Sequence, residues 1–386
     1  MKKNPNPSFT PEQELLLWLI RVDHTKDQRA AEILSAGVDW NYVRKTAIQH
    51  GIIPLLYKKL KNEMSDLVPS KELEEFRTLF MANAVRNLRM TQQLIKVLDH
   101  LSDAGIEAMP FKGPVLAVQA YGDLSMRSFS DLDIVIHRCD FEQTYDLLTK
   151  SGYSCALSGN QAHYLLKTDI ELTFDHPEYH IDIHWAFAHK FMAFNVDTEK
   201  FFKESIVYLL QGKKLKGLCP EDTFLVLSIH GANHYWIRLK WIADIIFFIY
   251  QNPNMNWQKI FDKSKNFTMN TLLYQSLNLA IEMGGLSLPE EIKNSIHANN
   301  IQKKCKSLDK IRFQLFSKER LRLHSSLHII SRREERIPIQ LKYFFSQIIY
   351  SIFTPKSRDL EIIDLPWFLY PLYLIIRPFR LIRDII

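Results

Sequence analysis

Four cysteines (Cys139, Cys155, Cys219 and Cys305) are scattered over 386 residues, and no two stand in a Cys-x-x-Cys spacing. That scarcity excludes a disulfide framework and a zinc knuckle, and it fits a reducing compartment. Glycine is sparse as well, at 12, and no low-complexity run occurs, which argues against long disordered linkers. Met1-Lys2-Lys3-Asn4-Pro5 is basic, but no apolar signal core follows it directly, so a cytoplasmic rather than a secreted protein is expected. The apolar end, Leu365 to Ile376, is twelve residues long and twice interrupted by proline, too short to span a bilayer as a helix.

What is present is ordinary in bulk and uneven in placement. Apolar residues make up 46% and charged residues 24%, as in a soluble globular protein with room for two or three domains. Residues 301–386 carry 17 Lys/Arg against 8 Asp/Glu, a net +9, which leaves −3 elsewhere and +6 overall. A basic C-terminal third suits nucleic acid, anionic lipid or a phosphorylated substrate, and equally a set of solvated helix faces. Two roles are open for the apolar end, followed by Arg377, Arg380 and Arg383: peripheral contact with an anionic membrane, or packing back onto the helical body.

Residues 1–101 read as a helical region. Thr10 suits a cap, Pro11 a first-turn position, and Glu14 to Ile20 the apolar body of a helix. A long helical segment runs from Leu73 to Leu101, and Gly105 suits its left-handed end. Residues 102–200 change texture. Strand candidates at Ile106–Phe111 and Asp131–Ile136 alternate with helices at Pro114–Tyr121 and Phe141–Ser151. Short apolar pieces follow at Tyr153–Leu157, Tyr164–Leu166 and Ile170–Phe174, then an alternating strand, Ile181 to Trp185. Such an order indicates a small domain mixing strands and helices. Residues 201–386 are expected to be helical, with His230, His234, Arg238 and Trp241 spaced to share one helix face.

The segment Ser130-Asp131-Leu132-Asp133-Ile134-Val135-Ile136 concentrates the chemistry. Its β-branched run reads as a buried strand, so Asp131 and Asp133 project from one face at its start. Two carboxylates that close repel unless a cation sits between them, and Mg²⁺, shared with nucleotide phosphates, is the natural occupant. A solvated strand entrance with Asp131 in a turn accounts for the pair equally well. Asp182, alternating with Ile181 and Ile183, offers a third carboxylate, with Glu171 as its rival. Three carboxylates are the usual minimum for a two-metal site performing phosphoryl or nucleotidyl transfer. Lys112-Gly113 at a strand-to-helix turn suits phosphate, and Arg127 and Ser130 suit added charge-assisted bonds. His184 reads as a hydrogen-bonded support. His230 and His234, four apart, lack the glutamate of a metalloprotease helix, since Gly231 follows His230. Lys240 and Asp244, also four apart, have the spacing of a helix-surface ion pair.

The order Phe111-Lys112-Gly113, Tyr121-Gly122-Asp123, Arg127, Asp131-Leu132-Asp133 resembles the uncharacterised bacterial nucleotidyltransferase family of the DNA polymerase β superfamily. Gly152-Tyr153 and Asp182-Ile183-His184-Trp185 are similar to that family's later motifs. So is the stretch His230…His234…Arg238-Leu239-Lys240-Trp241…Asp244. Lys112-Gly113 departs from the Gly-Ser that typical superfamily members carry where the first strand meets its helix. The resemblance implies an α+β fold, a polymerase-β-type palm flanked by helical regions, with Asp131, Asp133 and Asp182 binding two Mg²⁺ ions. It also implies a nucleotide cleft lined by His230, His234 and Lys240.

The expected activity is transfer of a nucleoside monophosphate from an NTP, with ATP as the expected donor, to an acceptor that the sequence leaves open. Sequence-specific nucleic-acid reading is not expected, because no basic strand interleaved with aromatics is evident. Two other readings share the same residues: a binding protein without turnover, and kinase-like phosphoryl transfer.

Overall fold

The computed structural model describes residues 9–192, 194–298, 311, 314–316, 349–350, 352–363 and 365–383. Among them, no helix is long and apolar enough to cross a membrane.

The N-terminal helices are α1 (Pro11–Trp18), α2 (Asp27–Ala36), α3 (Trp40–His50), α4 (Ile53–Glu63) and α5 (Ser70–Asp103). The first begins as expected. The Gln13 N–H donates to the Thr10 hydroxyl and the Thr10 N–H to the Gln13 amide oxygen, a capping box with Pro11 just inside it. At 34 residues α5 is about 51 Å long. Its buried positions, Phe76, Phe80, Asn83, Asn87, Met90 and Leu94, recur at three- and four-residue steps on one face. The two asparagines on that face do positional work. Asn83 donates to the carbonyl of Ser125 (3.0 Å), and Asn87 to those of Leu124 (2.6 Å) and Arg127 (2.8 Å). The loop that leads into the aspartate strand is thereby hydrogen-bonded to the long helix. Gly105 (φ +75°) closes the helix in the left-handed conformation.

A four-stranded sheet follows in the order β1-β2-β4-β3, from β1 (Ala108–Pro110), β2 (Asp131–Ile136), β3 (Glu171–His176) and β4 (Tyr179–His184). Its central pair, β2 and β4, is parallel, and the outer pairs are antiparallel. Helices α6 (Gly113–Tyr121), α7 (Phe141–Lys150) and α8 (Gly159–Leu165) interrupt the strands. Tyr164 and Leu166, an expected strand fragment, instead end α8, because Ser158 and Gln161 form a capping box that starts a helix there.

The sheet separates two cores. Leu132, Ile134, Ile136, Ile181 and Ile183 pack with α5 residues such as Leu94 and Leu101. Met109 and Val135, on the opposite face, join the core shared by the N-terminal helices and the later ones. Each large side chain buried in this way contributes about 1.5–3 kcal/mol. The chemistry-bearing residues of β2 and β4 lie on that second face, beyond the apolar contacts.

The C-terminal region departs from an all-helical reading. After α9 (Thr198–Lys203), β5 (Ile206–Leu210) and β6 (Lys213–Gly217) form a hairpin. Gln211 (φ +50°) and Gly212 (φ +79°) make its two-residue turn, both in the left-handed region. Helices α10 (Pro220–Asn233), α11 (Leu239–Gln251), α12 (Trp257–Asn266), α13 (Asn270–Gly284) and α14 (Glu290–Ala298) come next.

The helix face expected to carry His230, His234, Arg238 and Trp241 is broken. α10 stops at Asn233, and Tyr235 and Trp236 both take φ +56°. Gly231 explains the break: the buried Trp236 ring folds back over it, where a Cβ would lie 2.1 Å from the ring. Among the later described residues, α15 (Ser357–Ile362) and α16 (Tyr373–Arg383) pack back on the sheet domain, with Tyr370 and Tyr373 buried beside Tyr164.

Candidate active site

Strand register assembles the site. Asp133 on β2 stands directly beside Asp182 on β4, and Thr173 on β3 is next across the sheet. Asp131 lies two residues before Asp133 on the same face, at the strand entrance. Asp133 is buried, whereas Asp131 and Asp182 are half-buried. The sequence expectation that these three aspartates share one face is therefore met. The Thr173 hydroxyl donates to Asp182 Oδ1 at 2.6 Å and fixes how that carboxylate is turned.

Asp133 is the hub. The buried Lys112 ammonium forms an ion pair with its Oδ1. His184 Nε2 lies 3.1 Å from the same oxygen, while His184 Nδ1 lies 3.0 Å from Glu171 Oε2. Burial works against a charge on His184, but Glu171 and Asp133 outweigh it and raise the ring to about 9. An imidazolium bonded at both nitrogens results. Burial likewise opposes the Asp133 charge, and Lys112 and His184 more than reverse that, holding the carboxyl well below its usual range. For Asp182 the balance is reversed: burial and the neighbouring Asp133 charge outweigh the pull of His184 and push it up to about 6. The Phe111 ring meets His184 edge-on at 4.8 Å between centroids and packs against the imidazole.

Lys112 caps α6, and Gly113 takes φ +50°, with Asp131's carbonyl 3.4 Å from where a Cβ would sit. Glycine therefore brings the N-terminus of α6 beside the backbone of Asp131. Ser130 is exposed just ahead of that aspartate.

Across from the sheet stands the broken junction of α10 and α11. His230 and His234 meet at 4.5 Å, and His234 stacks on Trp241 at 4.6 Å. Burial first and the Lys112 charge second hold His230 well below its ordinary value. The side chain of Lys240 is brought down to about 8 by burial and then by Arg127. The Lys112 charge acts on His230 and the Asp131 charge on Lys240, which puts the helix junction near the aspartate strand.

Arg127 is placed differently from the expectation of a phosphate contact. Its Nε and Nη2 donate to both oxygens of Asp244 at 2.9 and 3.0 Å, and both residues are buried. Tyr121 donates to Asp244 Oδ1 at 2.9 Å. Asp244, spaced for a surface pair with Lys240, thus bonds Arg127 inside the protein. This bidentate pair ties the entrance of β2 to α11.

Asp131, Asp133 and Asp182 offer oxygen alone, the donor chemistry that suits a hard divalent cation such as Mg²⁺. Among the described residues, clusters of three candidate ligands within 4.8 Å are found at His24, Asp27 and Glu63 and at Glu204, Cys219 and Asp222, while Asp131, Asp133 and Asp182 do not come that close together. Both lie away from the aspartates. Thr173 and Glu171 are the site members that sequence reasoning undervalued. Their signal was phase: they alternate with Leu172 and Phe174, and so face the same way as each other.

The fold is a mixed α+β one, with Asp131, Asp133 and Asp182 on one face of its small sheet. The chain belongs to the uncharacterised nucleotidyltransferase family, whose model matches residues 36–285 and so takes in every residue discussed at this site. No curated protein and no solved structure matches the chain.

Proposed function

We propose that the protein is a Mg²⁺-dependent nucleotidyltransferase acting through a polymerase-β-type palm. In the reaction an acceptor oxygen bonds to the α-phosphorus of an NTP, with ATP the expected donor, as the bond to pyrophosphate breaks. The register of Asp133 beside Asp182 on parallel strands, with Asp131 two residues earlier on the same face, carries this reading. Mg²⁺ held by Asp131, Asp133 and Asp182 would neutralise the triphosphate and activate the acceptor hydroxyl.

The chain's own groups do the rest. Lys112 places a buried ammonium at the N-terminus of α6, where phosphate oxygens would meet its charge. His184 and Glu171 hold Asp133 in orientation, and Thr173 does the same for Asp182. Lys240 and the neutral His230 would approach the nucleotide from the junction of α10 and α11, one offering charge and the other hydrogen bonds without repelling Lys112. Arg127 acts as a brace through Asp244, one step removed from the nucleotide.

Calorimetric titration of each NTP, with and without Mg²⁺, into wild type, Asp131→Asn and Asp133→Asn tests the reading. Metal-dependent binding that falls at least about tenfold in either variant is expected, one strong charge-assisted contact being lost. Undiminished binding in the double variant would refute the site. Pyrophosphate as product supports nucleotidyl transfer, and ADP would replace it with phosphoryl transfer.

A further inference from the structure

The end of the chain is amphipathic in a way that the palm and its site do not use. Between the exposed residues Trp367 and Ile382 the segment has two opposite faces. One is pinned: Tyr373 and Arg377 are buried, and Arg377 and Arg380 both pair with the buried carboxylate of Asp359. Asp359 belongs to α15, and the neighbouring Leu360 carbonyl accepts from Gln161 of α8 at 3.1 Å. The anchor therefore reaches the sheet domain itself.

The other face of the segment is apolar and open. Trp367 and Phe368 lead into it, and Ile375, Phe379 and Ile382 continue it at helical spacings of four and three, opposite Tyr373 and Arg377. Trp367 is 71% exposed and Phe379 68%, values that large aromatics in a row rarely show unless something covers them.

The geometry points to the surface of an anionic lipid bilayer as that covering. Length excludes spanning, but a helix fixed by one face and apolar on the other is the form that lies in an interface. Charge decides between lipid and the competing occupants. Residues 365–383 contain three arginines and no acid. Residues 317–348, part of the same chain, carry 7 Lys/Arg against 3 Asp/Glu. Asp359 takes up two of the three arginines, so the excess belongs to residues 301–386 as a whole, at net +9, and two copies of so basic a region repel each other. Anionic headgroups complement that excess of positive charge.

Co-sedimentation of the full-length protein with vesicles tests this, independently of any nucleotide chemistry. Phosphatidylcholine vesicles containing phosphatidylglycerol should pellet the protein, and phosphatidylcholine alone should do so far less. Ile375→Ser/Phe379→Ser should weaken binding by about a hundredfold, taking roughly a tenfold loss for each large apolar side chain removed. Thermal melting establishes that this variant is folded. For the unaltered face, quenching of Trp367 by brominated lipid, with Trp367→Phe as background, reads insertion directly. The inference is overturned if wild type stays in the supernatant with both vesicles, or if the double variant pellets as well as wild type. A wild-type dimer that becomes monomeric in the double variant would overturn it too, assigning the face to a second copy.

Discussion

Replacing Arg127 by methionine removes one half of a fully buried ion pair and leaves Asp244 behind. The geometry sets the size of the effect. Two hydrogen bonds of 2.9 and 3.0 Å are lost, and among the described residues the Asp244 carboxylate keeps the Tyr121 hydroxyl at 2.9 Å. Arg127 is 5% exposed and Asp244 2%, so water does not reach the uncompensated charge without opening the packing between α6 and α11. A charge stranded in this way costs about 3–5 kcal/mol, and Asp244→Leu, which strands the guanidinium, should cost a similar amount. Arg127→Met/Asp244→Leu strands neither. It should therefore lose at least about 2 kcal/mol less than the two single losses added together.

Urea unfolding followed by far-ultraviolet circular dichroism measures all four corners of the cycle, with equal slopes required for the comparison. The single variants should also bind NTP more weakly, because β2 would no longer be tied to α11. Additive single losses, or a cost below about 1 kcal/mol for either single change, would refute the claim that this pair braces the site.

Two further outcomes follow from particular contacts. Gly231→Ala gains helix propensity of about 1 kcal/mol but drives a methyl into the buried Trp236 ring, 2.1 Å away. The clash should win, and an unchanged or raised melting temperature would show that the turn is not held by that contact. His137 bonds Glu199 at 2.7 Å and Glu107 at 3.2 Å. Burial opposes its charge, yet those two carboxylates raise its value above the ordinary imidazole range. The stability this contributes is complete below pH about 6.5 and disappears as pH rises through the raised folded value. His137→Gln should thus lower the melting temperature more at pH 6 than at pH 9, and the opposite order would contradict the assignment.

The parts of the fold legible in sequence were those whose signals are local. Thr10 with Gln13, the long periodic face from Phe76 to Leu101, Gly105, and the β-branched run behind Asp131 each declare themselves within a few residues. Alternation was enough to put Asp131, Asp133 and Asp182 on one face, since their neighbours are apolar in strict phase. What escaped depends on partners far along the chain. The pairing of Arg127 with Asp244 crosses 117 positions, and four-residue spacing offered Lys240 as a nearer but wrong partner. Lys112 looked like a free cation because its ion pair with Asp133 exists only once β1 and β2 are side by side. The hairpin at residues 206–217 is short and largely exposed, so its Gln-Gly turn stood without a clear alternating pattern. The break after Asn233 was hidden because a glycine within a helical pattern does not announce which ring will cover it.

The distance between Arg127 and Asp244 also has a meaning in time. A ribosome adding about 5–20 residues per second needs roughly 6–23 s to make the chain between them. During that interval the strand with the aspartates exists, but the arginine at its entrance has no buried carboxylate to meet. A product cut short before Asp244 would carry all three aspartates and still lack the carboxylate that braces Arg127. The entrance of β2 is thus tied to α11 only after most of the sequence has been made.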